Sequence, residues 1–223
     1  MTDKAFVRLS AVAALIMVGT TVGVHFVTFP SDTFEQRVML YQNSAYHLRT
    51  GMVVVHCVLA IVSLMGFVVR KRMRAEPLGA TLTGMIFFTL FGFTEIMRMM
   101  FSAWFANGLR ERYAQATDEA ARLLMRHELD LWSLMGNSFF LVFILCFALG
   151  NLFYGLSLFR DSEVLTRWLG YGFLLWSLLT FLAMGNDFWD NAVVGAIAEV
   201  NNKYFQPFMR LTIGVWLWRS AGS

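Results

Sequence analysis

The chain has 223 residues, 57% of them hydrophobic and 15% charged, with a formal net charge of +3 and a mean hydropathy of +0.57. A charged share that far below the roughly 25% of an average soluble domain excludes an ordinary water-soluble fold and makes lipid the solvent. The small basic excess sorts by position into an orientation signal across a membrane, which excludes nucleic acid as a partner.

A helix rising about 1.5 Å per residue needs about 20 mostly apolar residues to cross a hydrocarbon core of about 30 Å, where it must satisfy its own backbone. Windows at 7–29, 51–69, 78–105, 131–159 and 168–184 meet this requirement, and a shorter one at 204–218, carrying Arg210, supplies a sixth. The sequence thus predicts an all-α protein, a polytopic transmembrane helix bundle of about six spans in a single domain over 1–223.

Lys4 and Arg8 precede the first window, but its apolar run is too long for a signal core and lacks an Ala-x-Ala site, so it is read as a retained helix. Pro30-Ser31-Asp32 stops that helix and caps a short one through Tyr46, expected to cover the outer mouth of the bundle. The second window ends in the basic cluster Arg70, Lys71, Arg72 and Arg74. With Lys4, Arg8, Arg160, Arg167 and Arg219 on the same side, the positive-inside rule places both termini in the cytoplasm.

After the third window, Leu109, Tyr113, Ala116, Ala120, Leu123 and Leu124 recur at helical spacing with Arg and Glu opposite. This stretch is expected to extend helix three or four, or to lie on the outer surface. The short connections at 70–77 and 160–167 make helices two and three, and four and five, antiparallel neighbours. Between the fifth and sixth windows, the apolar stretch 192–198 lies between polar ends and is a second candidate cover for the outer mouth.

Polar side chains inside spans cost roughly 2.5–3.5 kcal/mol at the bilayer centre on insertion scales, so each needs a partner or a purpose. Glu95 and Arg98, three apart on one face, either pair to fix packing or present a fixed cation to an anionic group. All four histidines fall in the outer half: His25 and His56 inside helices one and two, His47 and His127 flanking. They are hydrogen-bonded interfacial groups or, alternatively, ligands for haem or a metal such as copper or zinc, although no named ligand spacing is present.

Asn137, one turn from Ser133, ties helices together or contacts a ligand. Asp187, beside Phe188 and Trp189, belongs to an interfacial belt or to a binding site. Together His25, His56, Glu95, Arg98, Asn137 and Asp187 are candidates to line one polar pocket, open outward and closed toward the cytoplasm. Cys57 and Cys146 read as small core residues. No nucleophile elbow, P-loop, dinucleotide-binding glycine pattern or Ser–His–Asp order stands out, so no reaction is assigned.

The exit of span four, Leu149-Gly150-Asn151-Leu152-Phe153-Tyr154-Gly155-Leu156-Ser157-Leu158-Phe159-Arg160, followed by Leu165-Thr166-Arg167-Trp168-Leu169-Gly170, resembles a bacterial six-helix membrane family, domain of unknown function 4386. Thr166 stands where that family usually has proline, and Pro207 with Gly214-Val215-Trp216-Leu217-Trp218 is similar to its closing helix. The resemblance implies six helices and no known activity.

Three readings of function follow. The first is a multi-pass protein of the cell inner membrane with an outward polar pocket centred on Glu95, Arg98 and His56, binding a small molecule or lipid head group in a transport-related role. The second is a structural or assembly subunit, packing against other helices as a homo-oligomer or in a membrane complex. The third, a haem or metal protein, needs at least two histidines to converge.

Overall fold

The computed structural model describes residues 1–189 and 192–222, with side chains except at 186–189. All regular structure among the described residues is helical. Helix α1 spans Asp3–Phe26, α2 Phe34–Val38, α3 Ser44–Met73, α4 Gly79–Phe101, α5 Asn107–Gln115, α6 Glu119–Leu158, α7 Val164–Trp189, α8 Ala192–Val200 and α9 Gln206–Ser220. Side-chain caps start several of them by taking up amides that the first turn leaves unbonded. Thr2 accepts from the Ala5 amide, Asn43 from Tyr46 and Asp118 from Ala121. Thr33 and Gln36 form a reciprocal capping box on α2.

Five helical segments are long and apolar enough to cross a membrane: Asp3–Phe26, Ser44–Met73, Gly79–Gln115, Glu119–Leu158 and Val164–Gly185. Only 33% to 39% of each apolar window is buried within the chain, so most of its apolar surface faces outward, where lipid or other helices must cover it. The shorter window at 204–218 is helical as well. It falls on a π-helical turn, Asn201–Phe205, and on α9, which runs for 15 residues.

The helices pack in chain order, α1 on α3, α3 on α4, α4 on α6 and α6 on α7, and α9 closes the ring against α1. The α3–α4 and α6–α7 neighbours expected from their short connections are both present. Both chain ends lie at one end of this ring. There Arg72 donates to Asp3 at 2.6 Å, and buried Arg70 donates to Ser220 at 3.2 Å and to Glu163 at 3.0 Å. The Arg70 guanidinium also stacks 4.3 Å from the Trp216 ring, and the Trp216 indole N–H donates to Thr166 Oγ1 at 2.9 Å. The basic cluster thus fastens α3, α7 and α9 together, with both termini beside it.

The core is largely aromatic. Phe67 stacks on Trp216 at 4.5 Å and meets Tyr154 and Phe173 edge-on, and Tyr154 donates to the Leu64 carbonyl at 2.8 Å. Rings of this size need small residues opposite them: Gly84 faces the Tyr154 ring and Gly150 the Phe88 ring across the α4–α6 contact.

The stretch at 107–130 extends both helix three and helix four, because it breaks in the middle. α4 continues through a π-helical turn, Ser102–Ala106, into α5, and Asp118 then starts α6. At 40 residues α6 is about 60 Å long, twice the hydrocarbon thickness, so a helical hairpin projects from the end of the bundle opposite the termini. Val38, Ala106, Leu109 and Leu129 give this projection a small apolar core, with α2 packed against α5.

Candidate functional site

In the half of the bundle away from the termini, a cavity of about 260 Å³ opens between α1, α3, α4, α6, α7 and α9. The apolar wall is Phe91, Phe140, Phe143, Ile144 and Phe147, and the polar lining is Thr21, His25, His56, Glu95, Thr180, Asn201, Asn202, Gln206 and Arg210, with Cys57 beside His56. Each site helix is predominantly apolar, and ridge packing sets its orientation, so these polar groups can be buried only by facing one another or an occupant.

His56 is anchored by its Nδ1, 2.8 Å from the Thr20 hydroxyl, itself 3.1 Å from the Met17 carbonyl. The other ring nitrogen has no protein partner among the described residues and is left to the cavity. His25 is exposed near the mouth, where its Nε2–H donates to the Asn202 carbonyl at 3.2 Å. Gln206 donates to Asn202 Oδ1 at 2.8 Å, while the buried Asn201 Oδ1 has no partner.

Glu95 is buried and accepts both donors of a bidentate pair, Arg98 Nε at 2.7 Å and Nη2 at 2.6 Å. The pair is nearly closed on itself, and it divides two cavities. Glu95 lines the first; Arg98 lines a second, of about 250 Å³, with Arg37, Ser102, Arg110, Asp130, Ser133 and Asn137.

Of the six predicted site residues, the structure therefore brings His25, His56 and Glu95 to one cavity and places Arg98 and Asn137 in its neighbour. The Asp187 side chain lies outside the described residues. α2 packs on the projecting hairpin and contributes Phe34, Arg37 and Val38 to the second cavity, so it borders that cavity and not the first. His47 donates to the Tyr41 carbonyl and does not line either cavity. No group of three or more His, Cys, Asp or Glu side chains converges among the described residues. Cys57 and Cys146 are both buried and free.

Arg210 is the residue that the sequence reading left out of the site. It is 6% exposed, yet no carboxylate reaches it among the described residues. Its neighbours are the Met17 sulfur, 3.9 Å from Nη1, and the Trp176 ring, 5.4 Å from the guanidinium carbon, and its Nε has no partner. A cation–π contact contributes about 0.5–2 kcal/mol, whereas taking a cation out of water costs several kcal/mol even after relaxation. Its surroundings within the chain do not offset that cost.

The signal that points to Arg210 is present in the sequence: an arginine in an apolar helix with no acidic residue within a turn on either side. Comparison of the chain with known families, curated proteins and solved structures finds no match among any of them.

Proposed function

We propose that this chain is a multi-pass inner-membrane protein whose cavity away from the termini opens on the outer side and binds a small molecule or lipid head group, in a transport-related role. In this reading the bundle crosses six times, with α9 and the turn before it as the sixth crossing, both termini in the cytoplasm, and kinship to domain of unknown function 4386 carried by the span-four exit and the closing helix. One observation supports it above others: five helices and the π-helical turn before α9 contribute polar side chains to a single cavity with an aromatic wall, and two of those buried polar atoms, Asn201 Oδ1 and Arg210 Nε, lack protein partners among the described residues. Small-molecule sites have this character, a mostly apolar lining with a few fixed polar groups.

The test is native mass spectrometry of the full-length protein released from lipid nanodiscs. A stoichiometric added mass is expected, and Ala183→Phe, which fills the cavity from α7, is expected to lose it. Protein that is free of added mass in every preparation would overturn the binding reading. A structural or assembly subunit is the second reading, favoured by the bidentate closure of Glu95 on Arg98, and it would then be supported by a stable oligomer in the same spectra.

A further inference from the structure

We infer that the cavity takes a short amphiphile with a monoanionic, carboxylate-type head seated on Arg210 and its apolar body along Phe91, Phe143 and Phe147. This rests on the binding reading above and adds the charge, size and polarity of the occupant.

The charge follows from the lining. Glu95 and Arg210 are the formally charged residues of its lining among those described, and the Glu95 carboxylate is already satisfied by both donors of Arg98. That pair cancels, so among the described residues the guanidinium of Arg210 remains as one uncompensated positive charge, buried and with an orphan Nε. A guanidinium presents planar paired donors that match a carboxylate, and a buried cation in an apolar helix is stable only with a counter-charge or water. One uncompensated cation among the described residues, with a carboxylate on the same lining, favours a monoanion over a dianion.

Size follows from volume. At about 30 Å³ of liquid per water, a cavity of about 260 Å³ has room for about nine water-sized groups. That suits a medium-chain acid; a long acyl chain would have to leave through the mouth near His25. The unpartnered ring nitrogen of His56 and the free Asn201 Oδ1 are then available for a second polar group or a bridging water.

The probes are sodium octanoate, octanol and octylamine, titrated by calorimetry into the full-length protein in nanodiscs. Octanoate should bind about tenfold or more tightly than octanol, and octylamine should fail to compete with it. Arg210→Gln should bring octanoate down to the affinity of octanol while octanol is unaffected, and Arg8→Gln, which removes one positive charge at the far end, should change neither. Displacement of octanoate by palmitate held in the nanodisc would support a lipid source for the acid, and failure to displace it a water-borne one.

Equal affinity for octanoate and octanol, or a folded Arg210→Gln protein that binds octanoate as before, would overturn the charge assignment and leave the binding reading standing. Binding of none of the three probes would overturn this inference, and the binding reading falls with it only if native spectra also lack an added mass. If Arg210→Gln does not fold, the comparison of the three probes on the unaltered protein still decides.

Discussion

Removing the Arg98 guanidinium would leave the Glu95 carboxylate buried without either of its donors. Breaking a buried pair costs about 3–5 kcal/mol when both groups are enclosed; with the Arg98 side chain 27% exposed, a loss of about 2–3 kcal/mol is expected for Arg98→Met. Replacing both partners, Glu95→Gln with Arg98→Met, removes the stranded charge and should recover most of that loss. Thermal unfolding of the three proteins in one detergent checks this, and a double variant as unstable as the single one would mean that the carboxylate is needed for something other than Arg98. His25, His56 and Glu95 were legible in the sequence because polar groups in apolar windows are costly wherever the helices point. Arg210 was not, because it sits in the shortest window, where its charge counted against a span and was not weighed as a site. Arg98 and Asn137 were legible as polar but not as belonging to a second cavity, since that depends on α4 standing between two spaces and on α2 folding over one of them.

At the scale of elements, close approach of helices fixes what their glycines can tolerate. A Cβ on Gly170 would lie 2.5 Å from the Phe159 amide nitrogen and 2.7 Å from the Leu158 carbonyl carbon, both backbone atoms that cannot swing aside. Gly170→Ala should therefore spread the α6–α7 hairpin and cost about 1–3 kcal/mol, as overpacking does. Gly51→Ala, with nothing within 4 Å, should be neutral or slightly stabilising. The same thermal unfolding assay separates them, and equal melting points would contradict the packing at this turn. Element existence was legible from hydropathy, and the α6–α7 connection from its length and charge. The break in the stretch at 107–130 was not read, although Asp118 followed by Glu119 is a helix-start signal, because continuous helical spacing on both sides masked it. Thr166 has a structural task at the start of α7. It accepts from the Trp216 indole and donates to Glu163, tying α7 to α9 beside Arg70.

The topology of the whole molecule turns on whether the last helical stretch crosses. Asp3 on Arg72 and Ser220 on Arg70 place both chain ends at one end of the bundle, and a chain whose ends share a side crosses an even number of times. Five helices qualify by length and hydropathy, so the proposed topology, with its even count, needs a sixth, which α9 with the turn before it, packed on α1, would supply. Its weakness in hydropathy comes from Asn201, Asn202, Lys203, Gln206 and Arg210 together, polar groups that a bundle interior can hold and lipid cannot. The basic residues Arg70, Lys71, Arg72 and Arg74 gather at the same end, and the positive-inside rule predicts that this end faces the cytoplasm. Reporter fusions test all of this together. A fluorescent reporter that needs the cytoplasm should be active on either terminus, and an export-dependent phosphatase inserted at the Ala116–Asp118 turn of the projecting hairpin should be active there. A phosphatase active at the C-terminus but not at the N-terminus would mean five crossings. Five crossings would contradict the packing of α9 on α1 with both chain ends at one end of the bundle, and the burial of Arg210, from which the charge of the occupant is argued, would fall with that packing.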